Sequence, residues 1–82
     1  MDPSTRHTSR RYWSKAYDHF RRRLIQARES ADLTQRAAAE ALGRPQSFVA
    51  KSESGERRVD VVELAEFARV YRKPIRFFLP RD

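Results

Sequence analysis

The chain has few of the residues that build metal sites, tight turns or membrane spans. It contains no cysteine, two glycines and four prolines in 82 residues, which excludes disulfide bonds and thiolate metal sites. His7 and His19 stand apart from each other and from any second cluster of histidine and carboxylate, so we expect neither a metal nor another cofactor. No apolar run approaches the length of a membrane span or a signal-peptide core. Nucleophile-elbow, phosphate-loop and zinc-protease motifs are also missing, so the sequence predicts no enzyme.

Acidic residues are outnumbered by basic ones. Eighteen lysines and arginines stand against 11 acidic residues, a formal net charge of +7, and all but three of the basic residues are arginines. The excess is concentrated in residues 1–23, which hold 7 basic and 2 acidic residues. This charge favours a polyanionic partner, with nucleic acid ahead of a membrane surface. We predict that residues 1–13 form a basic, flexible arm and that residues 14–82 form one domain.

Apolar residues at helical spacing predict two of the helices of that domain, the first near its start and the fourth near its end. The first begins near Ser14, a candidate N-cap, and ends around Ser30 to Asp32. The fourth begins at Asp60, which pairs with Glu63 as an analogue of the capping box, and is stopped at Pro74. The inward stripe of the first helix consists of Tyr17, Phe20, Leu24 and Ala27.

Two short helices joined by a tight turn are predicted between these ends. The first of the two covers Gln35 to Leu42 and the second covers Gln46 to Glu53. Thr34 suits the N-cap of the first, because its hydroxyl can accept a hydrogen bond from a free N–H of the first turn. Gly43 and Gly55 suit the positions just beyond each helix end, where the backbone takes a left-handed conformation.

Several short motifs in this stretch occur together in a fixed order. They are Leu33-Thr34-Gln35, Leu42-Gly43, Pro45-Gln46-Ser47-Phe48-Val49, Lys51-x-Glu53 and Gly55-Glu56-Arg57. In this order and spacing they resemble the helix-turn-helix of the Cro and phage-repressor class, also called XRE-type, from about Phe20 to Leu79. The resemblance implies an all-α, five-helix, repressor-like DNA-binding domain. Its last element, a turn or short helix, covers Ile75 to Leu79.

The second short helix presents a polar strip that can read DNA. Gln46, Ser47 and Lys51 share an outward face, because residues three and four apart are neighbours on a helix. A glutamine can pair with adenine and a lysine can donate to guanine in the major groove, and the resemblance places base contacts at these three positions. The alternative is that they form an ordinary solvated face.

A second group of polar residues surrounds this strip and is predicted to contact the DNA backbone. Gln35 resembles the family's phosphate-contacting residue, and the helix N-terminus beside it favours an anion. For the flanking arginines, a merely solvated side chain is the alternative. The predicted backbone contacts are Thr34, Gln35, Arg36, Arg44, Arg57 and Arg58.

Structural roles are predicted for two further groups. The resemblance sets Arg28 and Glu53 as an ion pair that ties the first helix to the end of the third. Ile75, Phe77 and Phe78 are more apolar than one short helix needs, so they are candidates for a dimer interface. The alternative for these three is that they seal the base of the core.

These features predict a cytoplasmic, sequence-specific DNA-binding transcriptional regulator, a repressor that binds a palindromic operator in double-stranded DNA as a homodimer. An antitoxin that binds a cognate toxin, or a restriction–modification controller, would also fit if it regulates its own operon. From a different class, residues 10–23 could form a basic amphipathic helix for a membrane surface or a protein partner. The same aromatic stripe more simply packs against the other helices, so no membrane is expected.

Overall fold

Four α-helices and one 3-10 turn make up the part of the chain that the computed structural model describes, namely the backbone of residues 3–80 and the side chains of residues 14–80. The all-α prediction is confirmed. The fifth element, Ile75–Phe78, is a 3-10 turn and not an α-helix. The α-helices are α1, Pro3–Ser30; α2, Gln35–Leu42; α3, Gln46–Ser54; and α4, Val61–Tyr71.

The first helix starts earlier than the sequence predicts. It begins at Pro3, so the predicted start near Ser14 is wrong. Proline is tolerated in the first turn of a helix, where its missing N–H has no partner to lose. No glycine or further proline interrupts the chain before Gly43, so nothing in the sequence stops the helix from extending back to Pro3. That residues 1–13 act as a basic, flexible arm stays a prediction, because the side chains of these residues lie outside the described part.

Caps fix the ends of the other helices where the sequence predicts them. The Thr34 hydroxyl accepts a hydrogen bond from the Ala37 N–H at 3.0 Å. At the start of α4, Asp60 and Glu63 form the reciprocal capping box. Gly43 ends α2 with a φ of 69°, and Asp32 takes the same left-handed region with a φ of 58° between α1 and α2. These local signals therefore determine how the chain turns between its helices.

The core is formed where the four α-helices and the 3-10 turn meet, and α2 contributes Ala38 and Ala39 to it. Leu24, Val49, Phe67 and Phe78 are fully buried there. Phe48, next to Val49 on α3, is also buried and stacks on Phe67 with ring centres 5.6 Å apart. One face of α3 is therefore anchored in the core, which leaves its opposite face to the solvent.

Candidate nucleic-acid interface

The solvent face of α3 carries the three residues predicted to read bases. Gln46, Ser47 and Lys51 are all exposed. Phe48 and Val49, on the other face of the same helix, are buried. The structure thus brings the three polar side chains together on one surface, held by a helix whose inner face is fixed.

The end of α3 is tied to α1 by the predicted partners Arg28 and Glu53. Arg28 Nε donates to Glu53 Oε2 at 2.7 Å, and the second guanidinium nitrogen donates to Oε1 at 3.2 Å. Arg28 also donates to the carbonyl of Leu33 at 2.8 Å, just before α2. The hydrogen bond to Glu53 raises the pKa of the Arg28 guanidinium further. One side chain therefore joins α1, the entry to α2 and the end of α3.

Arg21 is a second support for α3 that the sequence reasoning missed. Its guanidinium donates to the backbone carbonyl of Glu53 at 3.0 Å, one of the carbonyls that a helix end leaves without an internal partner. Its side chain also covers Gly55, where an added Cβ would lie 3.1 Å from the Arg21 side chain. No sequence signal pairs residues so far apart in the chain, although arginine is a favourable partner for helix C-termini in general.

The N-terminus of α2 lies beside the end of α3. Gln35 donates its side-chain N–H to Glu53 Oε1 at 2.9 Å, so its amide is bonded within the protein. Thr34 uses its hydroxyl as the helix cap, and Arg36 is exposed. Thr34 is exposed as well, so Arg36 is distinguished from the other two candidate backbone contacts because its side chain makes no hydrogen bond to another described residue.

The three flanking arginines differ in their surroundings. Arg57 donates two hydrogen bonds to Glu63, and Arg44 donates to Glu66 at 3.1 Å. Arg58 is exposed, and its guanidinium carbon lies 4.1 Å from the ring centre of Tyr17. Among the described residues, Arg58 makes no hydrogen bond to a carboxylate. The sequence predicts the same DNA-backbone contact for all three arginines, whereas the structure gives Arg44 and Arg57 carboxylate partners on α4.

The candidate dimer residues do not form one exposed group. Phe78 is fully buried, which agrees with the alternative that it seals the base of the core and leaves it without surface for a dimer partner. Phe77 is half-buried with the Arg23 guanidinium carbon 3.7 Å from its ring centre. Ile75 is 41% exposed. The physical reason is that the 3-10 turn directs Phe78 inward against Phe20, with ring centres 6.4 Å apart.

Other apolar side chains, which the sequence reasoning did not single out, are more exposed. Val61 is 77% exposed, Val62 is 66% exposed and Leu79 is 47% exposed. Val61 and Leu79 line the mouth of an open cavity of about 560 Å³ between α1, the start of α4 and the chain end, with Tyr17 among the other lining residues. Val61 and Val62 are adjacent at the start of α4 and Leu79 is far from them in sequence, so no periodicity in the sequence links the three as a surface patch.

Two further kinds of feature, a membrane-spanning helix and a metal site, are not found in the part of the chain that the structure describes. No helix in that part is both long enough and apolar enough to cross a membrane. Within the same residues, no group of three or more histidine and acidic side chains is arranged to hold a metal ion.

Comparisons with known proteins agree with this architecture. Residues 19–74 match a family model described as a helix-turn-helix domain. An XRE-family-like protein from Pseudomonas syringae pv. tomato is 38% identical, with a TM-score of 0.81 over 84% of each chain. The restriction-modification controller protein C.AhdI from Aeromonas hydrophila is 27% identical, with a TM-score of 0.70 over 77% of this chain and 96% of that one. The curated proteins gave no match.

Proposed function

The chain belongs to the helix-turn-helix family of the XRE type, and on this premise we propose that it is a transcriptional repressor that binds a specific DNA sequence. One observation carries the proposal: the exposed strip of Gln46, Ser47 and Lys51 lies on a helix whose opposite face is anchored in the core. A helix held in this way can enter the major groove as a rigid element. The activity is one of binding, with no catalytic step.

The chemistry of the strip matches base edges in the major groove. Gln46 can donate to and accept from adenine, whereas Lys51 can donate to the two acceptors of guanine. Ser47 can bond to either type of edge because its hydroxyl both donates and accepts. Because Gln46 opens α3, it is the first of the three to meet the bases.

Contacts to phosphates would orient the protein on the duplex without reading its sequence. Arg36 and Arg58 are suited to this role because both are exposed and positively charged. Arg36 lies in the first turn of α2, where a positive charge opposes the helix dipole, and a phosphate nearby would offset that repulsion. Gln35 can contribute if its amide turns from Glu53 to a phosphate.

We further propose that the protein acts as a homodimer on a palindromic operator in the cytoplasm. The exposed apolar side chains of Val61, Val62 and Leu79 support self-association, because burying them between two protomers would remove apolar surface from water, which is favourable. Ile75 extends the apolar surface at the chain end. Sedimentation equilibrium of the wild type and of Val61→Lys would test this, and a wild type that stays monomeric at micromolar concentration and on DNA would contradict it.

A second candidate within the same class is control of a restriction–modification system. The observation that favours it is the similarity to C.AhdI, which is described as a restriction-modification controller protein and is covered over 96% of its length. Both candidates share the binding step, and they differ in the genes that the operator precedes.

The binding step is tested by selection from a pool of random duplexes, followed by titration of the best site at several salt concentrations. We expect one enriched sequence and an affinity that falls linearly with salt on logarithmic axes. The absence of any enriched sequence, with equal affinity for all duplexes, would contradict sequence-specific regulation.

A further inference from the structure

Arg57 and Glu63 form a two-pronged ion pair beside the recognition helix α3. The two terminal guanidinium nitrogens of Arg57 lie 2.9 Å and 3.1 Å from the two carboxylate oxygens of Glu63. This parallel arrangement is the geometry in which arginine binds a carboxylate most strongly. Glu63 also accepts from the Asp60 N–H at 3.1 Å, so it is fixed at the start of α4. Arg57 is therefore held on the protein by both of its outer nitrogens.

Arg44 comes before α3 in the sequence, whereas Arg57 comes after it, and Arg44 also contacts acidic side chains of α4. It donates to Glu66 at 3.1 Å, and its other terminal nitrogen lies 3.7 Å from Glu63. The segment before α3 and the segment after it are thus both tied to α4, through two carboxylates one helical turn apart.

Phe48 lies under both guanidinium groups. Its ring centre is 4.4 Å from the Arg44 guanidinium carbon and 4.5 Å from that of Arg57, within the range of a cation–π contact. The same ring stacks on Phe67 of α4. Phe48 comes directly after Gln46 and Ser47, so whatever fixes this ring also fixes the direction of the two side chains that begin the base-reading strip.

We propose that Arg44 and Arg57 are positioning residues, which clamp Phe48 against α4, Arg57 through Glu63 and Arg44 mainly through Glu66, and so set the angle of the recognition helix. This inference rests on the proposed DNA-binding function. It replaces the expectation that both arginines contact phosphates, because their guanidinium groups are already bonded to carboxylates. Arg58, which lies next to Arg57 and lacks a carboxylate partner among the described residues, keeps the phosphate role.

The test uses Glu63→Gln, which removes the charged partner of Arg57 and so opens one half of the clamp, while leaving both arginine charges in place. Glutamine also preserves the capping box at the start of α4, so the helix keeps its cap. The matched control is Glu56→Gln, which makes the same change of charge at an exposed side chain in the same loop region. A second pair, Arg57→Lys and Arg69→Lys, keeps the charge but removes the planar two-pronged donor; Arg69 is the control because it is exposed on α4 and has no proposed part in binding.

The readout is the ratio of affinities for the selected duplex and a scrambled one, measured at several salt concentrations. A uniform change of charge alters both affinities alike and leaves this ratio unchanged. If the clamp sets the helix angle, Glu63→Gln and Arg57→Lys lower the ratio by about tenfold, one lost base contact in free energy. The two controls leave the ratio within about twofold.

Failure of the clamp and failure of DNA binding give different results. If the wild type prefers no duplex, the proposed function itself is overturned. If the wild type is selective but Glu63→Gln keeps the same ratio and binds every duplex more tightly, the released arginines contact phosphates and the clamp is overturned. The same conclusion follows if Arg57→Lys matches Arg69→Lys in ratio and in thermal stability.

Discussion

Glu53 at the end of α3 accepts two hydrogen bonds from Arg28 of α1, at 2.7 Å and 3.2 Å, with both side chains largely buried. Gln35 at the start of α2 donates to the same carboxylate. Three helices therefore meet at one acidic side chain directly beneath the surface proposed to bind DNA. The rigidity of that surface depends on this carboxylate as well as on the apolar core.

Removing this carboxylate should be more damaging than removing any flanking arginine. Glu53→Ala leaves the Arg28 charge buried without its partner, which typically costs about 3–5 kcal/mol. We expect a lower melting temperature than for alanine at Arg44, Arg57 or Arg58. In a thermal-melt cycle, the double change of Arg28 and Glu53 to alanine should cost less than the sum of the single changes. Strict additivity would show that the two side chains do not interact.

The stability that Glu63 contributes should depend on pH. Hydrogen bonds from Arg57 lower the pKa of the Glu63 carboxyl in the folded protein. A lowered pKa stabilises the fold above the ordinary glutamate value of about 4.3 and loses this effect as the pH falls through the lower folded value. The melting-temperature advantage of wild type over Glu63→Gln should be full near about pH 6 and should shrink progressively as the pH falls below about 4.3 towards the lowered pKa of the folded carboxyl. A difference that stays constant across this range would contradict the ion pair.

Removal of the Tyr71 hydroxyl and removal of the Tyr17 hydroxyl should change stability with opposite signs. The Tyr71 hydroxyl is buried and has no hydrogen-bond partner among the described residues, and this burial raises its pKa. Tyr71→Phe should therefore raise the free energy of unfolding by about 1 kcal/mol. The Tyr17 hydroxyl accepts from the Val59 N–H at 3.0 Å, so Tyr17→Phe should lower it by about the same amount. Equal losses in urea unfolding would argue that Tyr71 has a partner.

Arg72 ends α4 in the left-handed conformation, with a φ of 58°. A residue with a Cβ is strained there, whereas glycine is not. Arg72→Gly should therefore raise the free energy of unfolding by about 0.5–1 kcal/mol. The reverse change is Gly43→Ala, at a φ of 69° with no atom within 4 Å of the added Cβ, and it should lower stability through backbone strain alone. A loss on Arg72→Gly would show that the arginine side chain stabilises the helix end.

Local signals predicted the helix ends well, because the chemistry of a cap lies within a few residues of the helix it ends. Thr34, Gly43 and Asp60 all act as the sequence predicts. The start of α1 was predicted wrongly, since the absence of a stop signal is weaker evidence than its presence and Pro3 can open a helix.

Contacts between distant segments were harder to predict. The pair of Arg28 and Glu53 was expected only through the resemblance to a known family. The bonds of Arg44 to Glu66 and of Arg57 to Glu63 depend on how the loop after α3 turns back and packs α4 against the segments on either side of α3. No periodicity in the sequence encodes that turn, so these two arginines could not be distinguished from Arg58 in advance.

Base selection by wild type and Gln46→Ala from the same pool of random duplexes tests the central claim most directly. Gln46 is exposed at the start of α3. We expect Gln46→Ala to bind the wild-type site about 1–3 kcal/mol more weakly and to lose preference at one base pair, with the rest of the site and the salt dependence retained. An identical site preference for the two proteins would contradict the claim that this face of α3 reads DNA.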